Sequence, residues 1–161
     1  MRTLIIIPVL LFSLFLGASS YSADFNKGLT AAQSGDFATA LKEWKPLAGQ
    51  GDADAQTNLG LMYQNGWGVP QDDKEAVRWY TLAAEQEHAK AQYNLGVMYA
   101  LGEGVIKDYV YAHMWGNIAS MNGNDKGETL RGYVAEKMTS SQIEAAQRLA
   151  KECVKKNYKG C

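Results

Sequence analysis

The sequence predicts an all-α fold, an α-α superhelix in which helix-turn-helix repeats stack as a short solenoid. Two observations support this prediction. The chain repeats itself with a period of 36 residues, and apolar residues recur at helical spacing within each repeat. A fixed period of this length is typical of proteins in which each unit buries its apolar face against the next unit.

The first 23 residues have the pattern of a secretory signal peptide. Arg2 precedes an apolar run, Leu4–Leu16, and small residues follow it. This run is shorter than the roughly 20 apolar residues that a membrane-spanning helix needs. We expect cleavage near Ser20–Ala23, which would leave a periplasmic or secreted protein with no integral membrane span.

Residues 24–161 are predicted to form a single repeat domain. Residues 24–50 form its opening unit, a hairpin of two helices, Phe25–Ser34 and Phe37–Gln50, with Trp44 in the core. The formal net charge of the chain is −1, so it lacks the basic surface that nucleic-acid binding requires. We therefore expect no nucleic-acid partner.

Two full repeats follow, residues 51–86 and 87–122. In the first helix of the earlier repeat, Leu59 and Tyr63 share a buried face, and Gly60 is expected to let a neighbouring helix approach closely. Asp72 is expected to begin the second helix as part of a capping box with Glu75. Fifteen pairs of residues 36 apart are identical: Ala53/Ala89, Ala55/Ala91, Gln56/Gln92, Asn58/Asn94, Leu59/Leu95, Gly60/Gly96, Met62/Met98, Tyr63/Tyr99, Gly66/Gly102, Gly68/Gly104, Val69/Val105, Asp72/Asp108, Ala76/Ala112, Trp79/Trp115 and Ala83/Ala119.

Residues 123–161 are predicted to form a C-terminal capping hairpin. Its first helix is expected over Glu128–Met138, and a capping box of Thr139 and Gln142 opens its second helix. Two cysteines in an exported protein indicate one disulfide, between Cys153 and Cys161.

The two full repeats carry a pattern that resembles the Sel1-like repeat, a longer-turned relative of the tetratricopeptide repeat. The pattern is A-x-A-Q-x-N-L-G-x-M-Y-x-x-G-x-G-V, followed by D-x-x-x-A-x-x-W. The resemblance implies a right-handed superhelix whose first helices line a concave face that holds a protein or peptide. By position, it implies these partner-binding residues: Leu29, Thr57, Leu61, Gln64, Lys90, Tyr93, Val97 and Ala100. Tyr93 and Trp67 are the aromatic residues expected to anchor a partner.

The favoured function is thus a periplasmic or exported scaffold that binds a protein or peptide in envelope assembly, signalling or host contact. The cysteine pair also resembles the cysteine-rich members of the family, some of which are described as penicillin-binding proteins or weak β-lactamases. That resemblance implies an alternative function, in which this protein binds penicillin or acts as a weak β-lactamase.

The sequence favours a protein that is not an enzyme, with no catalytic residues, no metal and no cofactor. Neither His88 nor His113 has an acidic residue or a second ligand three or four residues after it, and the S-x-x-K, G-x-S-x-G and H-E-x-x-H motifs are absent. The tryptophans at repeat positions, Trp44, Trp79 and Trp115, are expected in the core.

Four lysines make the C-terminus basic: Lys151, Lys155, Lys156 and Lys159. Solvation of a charged surface, together with favourable charge at a helix C-terminus, is the simpler interpretation. A weak attraction to an anionic surface is the alternative interpretation.

Overall fold

The computed structural model describes residues 22–161, so the expected signal segment that precedes them lies outside the described residues. Within residues 22–161 the secondary structure is entirely helical, which confirms the all-α prediction. No helix in this part of the chain is long and apolar enough to cross a membrane. The helices are α1 (Phe25–Gln33), α2 (Phe37–Gly49), α3 (Ala53–Asn65), α4 (Asp73–Ala84), α5 (Ala89–Leu101), α6 (Tyr109–Met121), α7 (Asp125–Ala135) and α8 (Ser140–Lys155).

In each of the first three pairs the two helices pack against each other, and the second helix also packs against the helix that follows it in the chain, as in a solenoid. The last two helices depart from this rule. The main contacts of α7 are with α5 and α6, and those of α8 are with α6. The expected capping hairpin is therefore replaced by two helices that pack separately against α6.

Side-chain caps set the helix starts. The capping box of Thr139 and Gln142 is confirmed. The box expected at Asp72 is wrong in one half, because the carboxylate of Glu75 lies 2.6 Å from Nε of Arg78 instead of bonding the backbone at the cap. The start expected for α7 is three residues late, since Asn124 caps it.

Close approach of paired helices at glycine is confirmed. A side chain at Gly60 would collide with the ring of Tyr80, and one at Gly28 would collide with the ring of Trp44. Both rings are buried, so each first helix lies directly on an aromatic ring of its second helix. Trp79 differs from the prediction: it is only half-buried, and the guanidinium of Arg78 covers its ring at 4.1 Å.

Buried glutamines join one helix pair to the next. The side-chain amide of Gln56 donates to the carbonyl oxygen of Ala48 at 3.1 Å, and Gln92 donates to Ala84 at the same distance. Helix C-termini leave carbonyl groups without helical partners. The glutamine at this position of each repeat donates to one such carbonyl group at the C-terminus of the preceding helix pair. This hydrogen bond explains why both repeats have glutamine there.

The C-terminal tail folds back onto the repeats. The sulfur atoms of Cys153 and Cys161 lie at disulfide-bonding distance, and Cys153 is buried. Within the closed loop Tyr158 is also buried, although its φ of 62° is in the left-handed region. The amide of Gly160 donates to Oε1 of Glu85 at 3.1 Å, at the end of α4. The disulfide thus holds a tail that contacts two repeats.

Reduction of this disulfide is expected to lower the free energy of unfolding by about 2.5 kcal/mol at most, from the entropy of a loop of about nine residues. Part of this effect should be local, because a terminal element of a repeat array can open alone. Hydrogen exchange should show faster exchange near Tyr158 after reduction, with little change in α3. Free thiols in protein purified from an oxidising compartment would contradict the pairing.

Candidate partner-binding surface

The accessible sides of α1, α3 and α5, the first helices of the three pairs, together with that of α7, form what we call the first-helix surface. All eight residues that the resemblance implied for partner binding belong to α1, α3 or α5. The structure places two of them in an apolar pocket, two in a groove lined by lysines, two at buried positions and two, Gln64 and Val97, at partly accessible positions outside these openings.

The N-terminal pocket lies between α1 and α3 and has a volume of about 260 Å³. Leu29 and Leu61, both predicted, stand on its two sides. Trp67, from the turn after α3, forms part of the wall; its ring stacks on Phe37 with centroids 5.2 Å apart, and 42% of the residue is exposed. The remaining lining residues are Ala32, Gln33, Trp44, Asn58 and Met62. The pocket can therefore accept an apolar or aromatic side chain.

A second opening, which we call the Tyr93 groove, runs between α5 and α7. Tyr93 and Lys126 line both of its parts, which have volumes of about 530 and 460 Å³. Lys90 lines one part, and the half-exposed ring of Tyr133 lines the other. The contribution of α7 was missed from the sequence, because the repeat pattern that identified the other positions ends before this helix.

Two of the implied binding residues are not accessible, which corrects the prediction. Thr57 is 1% exposed, and its hydroxyl donates to the carbonyl oxygen of Ala53 at 2.8 Å. Ala100 is 5% exposed and packs with Leu130 and Val134 of α7. His88, at the start of α5, lies against Thr57, and α7 covers Ala100, so neither residue can contact a partner in this structure.

The other implied residues remain at least partly accessible. Tyr93 and Val97 are half-buried against the cluster that contains Leu130, so they also contribute to packing. Gln64 is held in place, because it accepts a hydrogen bond of 2.8 Å from the Tyr80 hydroxyl. Burial raises the pKa of that hydroxyl, so it stays protonated and keeps donating to Gln64.

The histidine at the start of α5 has an acidic neighbour that the sequence did not indicate. His88 Nε2 lies 3.0 Å from Oδ1 of Asp54, and His88 Nδ1 lies 2.9 Å from the hydroxyl oxygen of Thr57. A hydroxyl, an imidazole and a carboxylate in a row resemble a catalytic triad, in which the imidazole is the base for the hydroxyl nucleophile and the carboxylate orients the imidazole. Here the hydroxyl is buried out of reach of a substrate, and Nδ1 accepts from the amide of Ala91 as a helix cap.

The same position in the next repeat supports a structural role for His88. There Asn124 caps α7, and its side-chain amide donates to the carbonyl oxygen of Ala89 at 3.4 Å. Both caps reach back to the first turn of the preceding first helix. The arrangement around His88 is therefore a link between repeats.

His113 is buried in α6 and does not form a catalytic cluster. Burial and, to a lesser degree, the positive charge of Arg131 lower its pKa, so the neutral ring is favoured. Within residues 22–161 there is no group of three or more His, Cys, Asp or Glu side chains that could hold a metal ion.

Comparison with known proteins identifies the repeat. The Sel1 repeat matches residues 53–88 and 89–124. Among solved structures, a protective antigen present in uropathogenic Escherichia coli strains, described as displaying an SLR fold, is 30% identical, with a TM-score of 0.77 over 83% of this chain and 30% of that chain. A Sel1 repeat protein from Oxalobacter formigenes is 31% identical, with a TM-score of 0.68 over 80% of this chain and 55% of that chain.

This chain thus spans less than a third of the first structure and about half of the second. None of the curated proteins matches it at a significant level.

Proposed function

The chain belongs to the Sel1 repeat family, and we propose that its first-helix surface binds an extended protein or peptide segment. Sel1 repeats are scaffolds that typically mediate protein–protein interactions. The observation that carries the proposal is the N-terminal pocket, where an exposed tryptophan and two leucines leave an apolar opening on a helical scaffold.

The pocket suits one anchoring side chain of a partner. Its volume of about 260 Å³ is smaller than the roughly 300–1,000 Å³ of sites for drug-sized ligands. Binding would bury the exposed part of Trp67, and tryptophan is among the residues that contribute most to interface energy. The stacking of Trp67 on Phe37 orients the ring before a partner arrives, which lowers the entropic cost of binding.

The Tyr93 groove would take a second part of the same segment. Two exposed lysines, Lys90 and Lys126, line it beside one exposed carboxylate, Asp125, so its net positive charge favours a negatively charged or carbonyl-rich stretch. Tyr93 adds contact area with few rotatable bonds. Two openings on one surface suit an extended chain better than a compact ligand.

We also propose that the protein is exported and acts in the periplasm or outside the cell. The apolar run near its N-terminus supports export. A cysteine pair at disulfide distance fits an oxidising compartment. The similarity to a protective antigen makes host contact one candidate role, beside envelope assembly and signalling.

Trp67→Ala is expected to weaken peptide binding about tenfold or more, because it removes the exposed wall of the pocket. The probe is a peptide selected on the purified protein from a random phage-displayed library, and its affinity is measured by calorimetry. Leu29→Ala should weaken binding in the same direction.

Leu82→Ala is the matched control, since Leu82 is similarly exposed but lies on α4, a second helix. It should leave the affinity unchanged. If Leu82→Ala abolished binding while the two pocket variants bound normally, the surface assignment would be wrong.

We propose that the protein binds its partner without catalysing a reaction. Nitrocefin turnover by the purified protein would contradict the absence of catalysis and favour the β-lactamase-like alternative.

A further inference from the structure

A separate groove lies between the C-terminal halves of α6 and α8. Its volume is about 490 Å³, within the range of small-molecule sites. None of its lining residues belongs to a first helix, so this α6–α8 groove is distinct from the first-helix surface. The lining residues are Asn117, Met121, Gln147, Ala150, Lys151, Val154 and Lys155.

The floor of the α6–α8 groove is apolar. Ala150 is buried, Val154 is half-buried, and Met121 at the edge is 63% exposed. A methionine in such a position suits a binding surface, because its flexible thioether adapts to the shape of an apolar ligand.

The rim of the groove is positively charged. Lys151 and Lys155 are four residues apart and so lie next to each other on one face of α8. Both are exposed, and neither is in an ion pair within residues 22–161. The other polar residues of the lining, Asn117 and Gln147, are neutral amides. The charge of the groove therefore favours an anion.

The helix dipole explains only part of this charge. Lys155 lies in the last turn of α8, where a positive charge stabilises the helix. Lys151 lies one turn earlier, and the effect of the dipole falls off within the last turn. The dipole also gives no reason for an open apolar floor beside the two lysines.

We propose that the α6–α8 groove binds a single-chain anionic amphiphile, a free fatty acid. The carboxylate lies between the ammonium groups of Lys151 and Lys155, and the chain covers Met121 and Val154. From Gln147 to Lys155 the helix rises about 12 Å, which is the length of α8 that lines the groove and suits an amphiphile of medium size. The single pair of charges matches one head group, while the amides of Asn117 and Gln147 supply no charge for a second.

The test is calorimetric titration of the purified protein with dodecanoate below its micelle concentration. We expect saturable binding at one site, and at least tenfold weaker binding of the neutral dodecyl maltoside and the cationic dodecyltrimethylammonium. The double variant Lys151→Gln/Lys155→Gln should bind dodecanoate about tenfold more weakly. Met121→Ser changes an exposed position and should not disturb folding. It should weaken the binding of all three amphiphiles severalfold.

The matched control is Lys45→Gln/Lys74→Gln, which makes the same charge change at exposed positions outside the groove. It should bind dodecanoate like the wild type. An equal loss in this control, or equal binding of the cationic amphiphile, would overturn the proposal. So would lysine-dependent binding of anionic vesicles or of an acidic amphipathic peptide without any binding of dodecanoate.

Discussion

Tyr80→Ala is expected to lower the free energy of unfolding by about 3–5 kcal/mol, as truncation of a large buried aromatic residue does. The Tyr80 side chain is fully buried, and its ring fills the space that Gly60 leaves between α3 and α4. It belongs to the same core cluster as Leu95 and Trp115 of the following repeat. Its loss should therefore destabilise both repeats together. Urea denaturation followed by circular dichroism measures the effect.

The control for this prediction is Tyr133→Ala, because Tyr133 is 54% exposed. That change should stay within about 0.5 kcal/mol of the wild type. Tyr80→Phe keeps the ring and removes the hydrogen bond to Gln64, so it should cost about 0.5–1.5 kcal/mol. Similar losses for Tyr80→Ala and Tyr133→Ala would contradict the description of the core.

Gly127→Ala is expected to cost about 3 kcal/mol, at the upper end of the usual range for overpacking. A Cβ atom at this position would lie 2.5 Å from the carbonyl oxygen of Gly116 and 2.6 Å from the amide nitrogen of Ser120, both in the backbone of α6. Backbone atoms cannot rotate away as a side chain can, so α7 would have to move off α6. Thermal and urea unfolding measure the loss.

Gly132→Ala is the matched control on the same helix. A Cβ atom there would meet no heavy atom within 4 Å, so the change should raise stability by about 0.5–1 kcal/mol through helix propensity. Opposite signs for the two substitutions are the expected result. If Gly127→Ala were also stabilising, the close crossing of α6 and α7 would be wrong.

Much of the fold could be predicted from the sequence because its repeats are stabilised by local and nearest-neighbour contacts. The 36-residue period indicated the helix pairs, and the shared Gly60 and Gly96 indicated close helix contacts. Such features depend on residues within one unit, so a pattern of residue types is enough to identify them. The cysteine pair was also predictable, since only two cysteines are present.

The binding surface was only partly predictable. The resemblance assigned Thr57 and Ala100 to it by position in the repeat, but accessibility depends on how the next repeat covers each position. Thr57 lies beneath the ring of His88, whose Nδ1 is 2.9 Å from the Thr57 hydroxyl oxygen, and Ala100 lies beneath α7. The pocket wall combines Trp67 with Phe37, thirty residues earlier in the chain.

The sequence by itself thus determined the first three helix pairs, their order and most of the residues that pack within each of them, because these follow from a repeated local pattern. Only the tertiary structure decided the C-terminal arrangement. There the repeat pattern ends, and α7 and α8 take positions set by the glycine contact with α6 and by the disulfide-closed tail on Glu85. The pocket, the Tyr93 groove and the α6–α8 groove all form between helices. Their shapes depend on contacts between residues distant in the chain, which no local pattern encodes.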